Sequence, residues 1–297
     1  MASDPPPLPS VAYLGPRTSY SHQAAIECFD PTTHTFEPQT TIEDIFIAVE
    51  SRAVTYGVVP FENSTNGSVV LTLDLFCDRH SLFPNILVCG EVYLDVHHCL
   101  LSTASSVADI TRLYSHPQAF GQCEIYLNAY LKGVERIDVS STSKAAQIAA
   151  GDPNSAAIAS KVAADVPGLR ILASDIEDSH DNTTRFFVLS ATERAPAGPL
   201  GEKHKTLLSF TIDHQLPGAL CDGLKVFKEY GLNLTSIVSR PSRVLKWNYI
   251  FFVEFEGHSE TENARAALKE LGAYCPEMRV LGSYMDKQSR KGTRYNE

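Results

Sequence analysis

No apolar run in this chain approaches the roughly 20 residues that a helix needs to cross a bilayer, so a helical membrane protein is not expected. The opening stretch, Met1 to Ser10, has neither a basic region nor an apolar segment, which argues against a secretory signal. Phosphate cradles are missing too. Neither Gly-x-x-x-x-Gly-Lys-Ser/Thr nor Gly-x-Gly-x-x-Gly occurs, so a nucleotide cofactor is not expected. Positive charge is short: 25 Lys and Arg stand against 35 Asp and Glu, a net charge of -10 that argues against a nucleic-acid partner. The one basic run, Lys287 to Arg294, belongs to an expected loose tail. Cysteine offers no paired framework. Seven residues, an odd number and widely scattered, suit reduced thiols in the cytoplasm, and Cys123 reads as packing on a helix rather than as a nucleophile. Metal is not expected, because His97 and His98 would face opposite sides of a strand and no other spacing resembles a ligand set.

What is present fills about two domains: 297 residues, 43% hydrophobic and 20% charged. Short apolar runs alternate with helical patterns. Val11 to Leu14, Tyr56 to Val59, Glu91 to Leu101, Ile110 to Tyr114, Arg136 to Val139, Ala156 to Ala159 and Phe186 to Leu189 read as strands. Between them fall a helix to Cys28, one opened by a Thr40/Glu43 capping box, and others at 69–78, 117–131, 143–150 and 160–166. This alternation predicts an open, largely parallel α/β structure. The runs at Glu91 and Phe186 can both cross between lobes, giving expected subdomains at 10–102 plus 185–194 and at 103–184, after a disordered 1–9.

Polar residues concentrate where such a sheet binds ligands. Gly15 to Ser21, Glu62 to Ser68, Ser115 to Gln118 and Ser140 to Thr142 each follow a strand and lead into a helix. Helix N-termini there present free N–H groups, so converging loops describe a site for a small anion. The stretch Asp181-Asn182-Thr183-Thr184-Arg185 adds an amide, two hydroxyls and a guanidinium at the mouth of a buried strand. It reads either as a turn with a surface arginine or as ligand chemistry, with Arg185 taking a carboxylate and Thr184 sharing a proton with a leaving oxygen.

Beyond Leu189, a linker at 195–204 precedes a β-α-β-β-α-β pattern over 205–286, the ferredoxin-like arrangement, followed by the tail at 287–297.

Gly15-Pro16 through Ser21-His22-Gln23-Ala24-Ala25, Gly57-Val58-Val59-Pro60-Phe61-Glu62-Asn63-Ser64, Ser115-His116-Pro117-Gln118-Ala119-Phe120 and Asn182-Thr183-Thr184-Arg185-Phe186 together resemble the prephenate dehydratase family. The resemblance covers nearly the whole chain, in the family's order. It implies a bilobal catalytic domain like a periplasmic binding protein, no cofactor, and loss of carbon dioxide and water from prephenate to give phenylpyruvate, a carbon-oxygen lyase reaction in phenylalanine biosynthesis. By resemblance Thr184 meets the departing hydroxyl, with Glu62 and His116 as titratable partners, each equally readable as a loop hydrogen-bond partner. Arg185 or helix N-termini then hold carboxylate. Ser19, Ser21, Asn63, Ser64, Ser115, Gln118, Thr142, Asn182 and Phe186 complete the expected substrate site. The chain has Thr18 where the family generally has glycine, which takes φ > 0 at low cost as threonine does not.

Leu216-Pro217-Gly218-Ala219-Leu220 and Asn233-Leu234-Thr235-Ser236-Ile237-Val238-Ser239-Arg240-Pro241 resemble the two signature stretches of the ACT amino-acid sensor. That likeness implies feedback by L-phenylalanine at an interface between copies, hence a homodimer or tetramer. The implied effector residues are Pro217, Gly218, Ala219, Leu220, Asn233, Leu234, Ser239 and Arg240. The family commonly has glutamate at Val238, and a module that only dimerises is the alternative. Arogenate dehydratase and a non-catalytic bilobal binding protein are the rival functions. No chorismate mutase segment is expected, and the lack of a plastid-type leader favours prephenate.

Overall fold

A computed structural model describes residues 7–191 and 203–288. The expected disordered N-terminus, the linker and the basic tail therefore fall mostly outside the described residues.

The first lobe is built from β1 (Ser10–Leu14), α1 (Tyr20–Cys28), β2 (Thr35–Gln39), α2 (Ile42–Glu50), β3 (Tyr56–Asn63), the short β4 (Gly67–Ser68), α3 (Val70–Phe76) and β5 (Leu87–Asp95). Its sheet runs β2-β1-β3-β11-β5, where β11 (Thr183–Ser190) returns from the second lobe and lies antiparallel to both neighbours. Apolar residues alternate along β11 because successive side chains point to opposite faces. Phe186 and Val188 pack with Val11, Tyr13 and α1, whereas Phe187 and Leu189 pack with α2 and α3 on the other face.

The second lobe comprises β6 (Cys99–Ser102), β7 (Arg112–Ser115), α4 (Pro117–Gly121), α5 (Glu124–Tyr130), β8 (Glu135–Asp138), α6 (Thr142–Gly151), β9 (Ser155–Ala159) and β10 (Arg170–Ala173). Its sheet order is β10-β6-β9-β7-β8. Helices α4 and α5 cover one face, and α6 covers the other through Ala145, Ala146 and Ala149.

Several boundaries differ from the sequence reading for definable reasons. The run from Glu91 to Leu101 is two strands in two different sheets, so the lobe boundary falls at 96–98 rather than at 102. The capping box is one residue later. Thr41 takes the Asp44 N–H, and Asp44 takes the Thr41 N–H at 2.9 Å, because Thr-x-x-acid occurs in both registers. The helix expected over 117–131 breaks at Gln122-Cys123, where the Asp178 carboxylate caps Glu124 and Ile125 at 3.0 and 2.9 Å from another part of the chain. Residues 161–165 form a 3-10 turn in place of the expected α-helix.

The C-terminal domain contains β12 (His204–Thr211), α7 (Ala219–Glu229), β13 (Leu234–Pro241), β14 (Tyr249–Glu256), α8 (Glu262–Tyr274) and β15 (Met278–Met285), in the sheet order β13-β14-β12-β15. One face carries α7 and α8 over Leu208, Phe210, Val253 and Phe255. The other face presents Leu207, Phe252, Leu281 and Tyr284 to the first lobe, so one apolar core runs across the domain boundary. The approach is close: a Cβ on Gly282 would lie 2.0 Å from the Val88 carbonyl oxygen, which leaves room only for glycine.

Candidate active site

The lobes enclose a crevice of about 260 Å³ at the carboxyl ends of β3 and β7. Thr184, Asn63, Asn182, His116, Gln118 and Thr142, all expected from the sequence, line it. Asn63 organises the first-lobe wall. Its Nδ2 donates to Asn182 Oδ1 at 2.7 Å and to Thr184 Oγ1 at 2.9 Å, while its Oδ1 accepts the Thr65 and Asn66 N–H groups. Thr184 Oγ1 thus accepts from an amide and keeps its own proton to donate.

Across the crevice, α6 begins at Thr142. Ser141 accepts the Lys144 N–H at 3.1 Å, which leaves the first-turn N–H groups before it without an intrahelical acceptor. They supply partial positive charge where Ser140, Ser141 and Thr142 face the opening. His116 caps α4 with Nδ1 accepting the Gln118 N–H at 3.2 Å, so a neutral ring carries its proton on Nε2. Among the described residues, no lysine, arginine, aspartate or glutamate lines this crevice.

The back wall was missed by sequence reasoning. Tyr20, His98 and Gln122 line the crevice, with His98 Nδ1 at 3.0 Å from the Tyr20 hydroxyl and Nε2 at 2.8 Å from Gln122 Oε1. Burial lowers the His98 pKa and raises that of Tyr20 well above its ordinary value, so both are neutral near pH 7. The available signal was the pair of histidines interrupting the apolar alternation after Glu91.

Other expected residues lie elsewhere. Arg185 points to the opposite face of β11, where its guanidinium meets Glu91 (Nε to Oε2, 2.7 Å) and Glu254 of the C-terminal domain, so it does not hold a carboxylate in the crevice. Glu62 pairs opposite Arg185, one residue out of phase with the Asn63–Thr184 pair, and shares that turned-away face. Phe186 is core beneath Thr184. Ser115 is fully buried and donates to the Ile158 carbonyl. Ser19 caps α1, Ser21 is buried on it, and Ser64 is pinned between the Asp181 carbonyl and the Thr183 N–H, each at 2.9 Å.

A second cluster ties the crossovers between the lobes. The ligand atoms of His97, Glu177 and His180 lie within 4.8 Å of one another, a grouping that sequence spacing does not reveal. Glu177 takes contacts from His97 Nδ1 at 2.7 Å, His180 Nδ1 at 3.2 Å and the His98 N–H at 2.8 Å.

A family model for prephenate dehydratase matches residues 11–194, and one for the ACT domain matches residues 206–273. The chain belongs to the prephenate dehydratase family. A bifunctional chorismate mutase/prephenate dehydratase of Aquifex aeolicus is 43% identical over 274 residues, covering 92% of this chain and 73% of that protein. An arogenate dehydratase/prephenate dehydratase of Arabidopsis thaliana is 40% identical, covering 92% and 71%. Among solved structures, the prephenate dehydratase of Arthrobacter aurescens in complex with L-Phe superposes with a TM-score of 0.85 at 29% identity, over 94% of this chain and 90% of that one.

The effector residues implied by the ACT signature are split between two ends of the C-terminal sheet. Arg240 lies level with Thr211, after which Pro217, Gly218, Ala219 and Leu220 follow, as does Ser239 one residue earlier; Asn233 and Leu234 lie level with Lys205 and Thr206. Arg240 is held by Asp74 of the first lobe at 2.8 Å. Val238 packs half-buried in the apolar core that joins the domains, opposite Phe252.

Proposed function

We propose that this protein is a carbon-oxygen lyase that binds prephenate in the crevice between its two lobes and releases phenylpyruvate, carbon dioxide and water. The observation that carries this reading is the Thr184 hydroxyl, fixed by Asn63 with its proton free, facing a crevice that no lysine, arginine, aspartate or glutamate among the described residues lines and that opens onto the N-terminus of α6. The pyruvyl carboxylate keeps its charge throughout and is gripped by the α6 N–H groups. The ring carboxylate leaves as carbon dioxide; its electron pair enters the ring and expels the hydroxyl, which needs one proton to depart as water. Threonine is too weak an acid to supply that proton alone, and so is a neutral imidazole; Thr184 therefore hydrogen-bonds the departing oxygen, and solvent supplies the proton that completes the water. The crevice lining argues for prephenate over arogenate, since an amino group calls for a carboxylate partner and none of the lining residues offers one. Appearance of phenylpyruvate absorbance on mixing pure protein with prephenate, and the ratio of kcat/KM for prephenate and arogenate, test both statements.

L-phenylalanine is the effector we infer for the ACT domain, in a homodimer or tetramer. Two features support it: the divided effector set, which a second copy can complete, and the edge strand β13 with Ile237 half exposed. Phenylalanine at 100 times its dissociation constant should stabilise the native state by about 2.7 kcal/mol. Absence of both a thermal shift and inhibition would leave the domain a dimerisation module. The seven scattered cysteines, all free, support a reducing cytoplasm.

A further inference from the structure

Thr184 and Arg185 are consecutive on β11 and point to opposite faces, one into the crevice and the other into the seam with the ACT sheet. In that seam Arg185 is 6% exposed and Glu254, on the ACT strand β14, is 2% exposed. Glu254 is itself held from two sides. Its Oε2 accepts from Arg185 and from the Tyr284 hydroxyl at 2.6 Å, while its Oε1 accepts from Thr235 at 2.6 Å. Aromatic rings enclose the guanidinium, with the Phe187, Phe61 and Tyr93 centroids at 4.8, 5.5 and 5.6 Å. Glu91 closes the network by accepting from Arg185 and from Lys205 of the ACT sheet at 3.4 Å.

The charges are not needed to dock the domains. Leu207, Phe252 and Leu281 already share an apolar core with Phe61, Phe187 and Val88, and buried ion pairs generally give back in desolvation what they gain in attraction. What a doubly clamped guanidinium does supply is orientation. The ladder beside it is irregular on one side: β3 and β11 shift register between Arg185 and Phe186, where β3 carries the extra residue Phe61, while Thr184 stays paired with Asn63 and, on β5, with Leu94.

We propose that Glu254 of the ACT domain is a positioning residue for the dehydration, holding Arg185 so that the neighbouring Thr184 hydroxyl meets the departing oxygen. The ACT domain is then part of the catalytic unit even without an effector. This rests on the role proposed for Thr184, so the experiment measures both in the full-length protein with prephenate as substrate. Glu254→Gln should lower kcat about 10-fold or more at nearly constant KM, because small misplacements at a reacting group cost rate rather than affinity. Adding Glu254→Gln to Thr184→Ala should cause little further loss, since the hydroxyl being positioned is gone. Thr235→Val, which removes one clamp and leaves the ion pair, should show the same pattern with a several-fold loss, and it carries the test if Glu254→Gln does not fold. Normal kcat in both seam variants, with Thr184→Ala inactive, overturns the proposal. So do losses that multiply in the double variant. Near-normal turnover of Thr184→Ala removes the Thr184 role itself and the proposal with it.

Discussion

The two faces of β11 show opposite uses of polarity within one strand. On the Thr184 side the groups are hydroxyls, amides and imidazoles around an opening of about 260 Å³, with positive potential arriving from a helix end. On the Arg185 side full charges are sealed between domains, with side-chain exposures of 7% for Arg185, 0% for Glu91 and 2% for Glu254. The division has a physical logic. A dianionic substrate that must shed one carboxylate as neutral gas gains nothing from a cation that holds that carboxylate in place, whereas two domains that must keep one relative orientation gain directional contacts from a buried guanidinium. Fixed charge serves the architecture, and dipoles serve the chemistry.

Arg185→Met tests the charged face most severely. It leaves Glu91 and Glu254 buried beside each other with Lys205, at 3.4 Å from Glu91, as the remaining cation among the described residues, and should cost about 3–5 kcal/mol in urea unfolding. A variant as stable as the parent would show that the seam relies on its apolar core alone. Thr184→Ala probes the other face and should behave inversely. Its unfolding midpoint should stay near that of the parent while kcat falls about 10²-fold, equivalent to about 2.7 kcal/mol of barrier. Near-normal turnover of the pure variant would take Thr184 out of the reaction.

The sequence carried enough for the α/β alternation and for the loops that meet at the crevice, because both follow from local periodicity. Facing was the weaker inference. Assigning Thr184 and Arg185 to one ligand conflicts with the period of two along a strand, a constraint readable from the residues themselves. The misplacement of Glu62 is different in kind, since only the ladder that pairs it with Arg185 reveals its side. Gln122 reaches His98 because Asp178, far along the chain, ends one helix and starts the next, which no local pattern records. The edge strand β2 escaped notice because Pro38 and its polar neighbours do not look like a strand, although proline is tolerated at a sheet edge.

Thr18 gives a smaller contrast within the crevice lobe. It sits at φ 72°, where a side chain costs about 1–2 kcal/mol and glycine is free of that penalty. Glycine's extra freedom in the unfolded chain gives back about 0.5–1 kcal/mol, so Thr18→Gly should stabilise the protein by about 0.5–1 kcal/mol. A lower melting temperature would mean that the hydroxyl bond to the Arg17 carbonyl outweighs the backbone strain.

The smallest expected effect lies at the crossovers, where charge appears close to the crevice but outside it. The Glu177 hydrogen bond, followed by the nearby Glu177, Asp175 and Asp95 charges, outweighs burial and raises the His97 pKa. Burial is the largest single influence on Glu177 and would raise its pKa, yet the bonds from His97, the His98 N–H and His180 together hold it below the ordinary value. For His97 the folded pKa exceeds the unfolded value of about 6.5, so its contribution is complete below that pH and is lost as pH rises through the folded pKa. For Glu177 the contribution is present above the unfolded value of about 4.3 and is lost as pH falls through the depressed pKa. The tie between the crossovers is therefore strongest between about pH 4.3 and 6.5. His98, whose pKa burial depresses, works the other way in this window, which is why a single substitution is needed to isolate the pair. His97→Gln should destabilise the protein more at about pH 5.5 than at about pH 8.5, by less than about 1 kcal/mol because the imidazole side chain is 45% exposed and screened by water. Equal losses of melting temperature at the two pH values would mean that His97 acts on Glu177 as a neutral hydrogen-bond donor rather than as a charge.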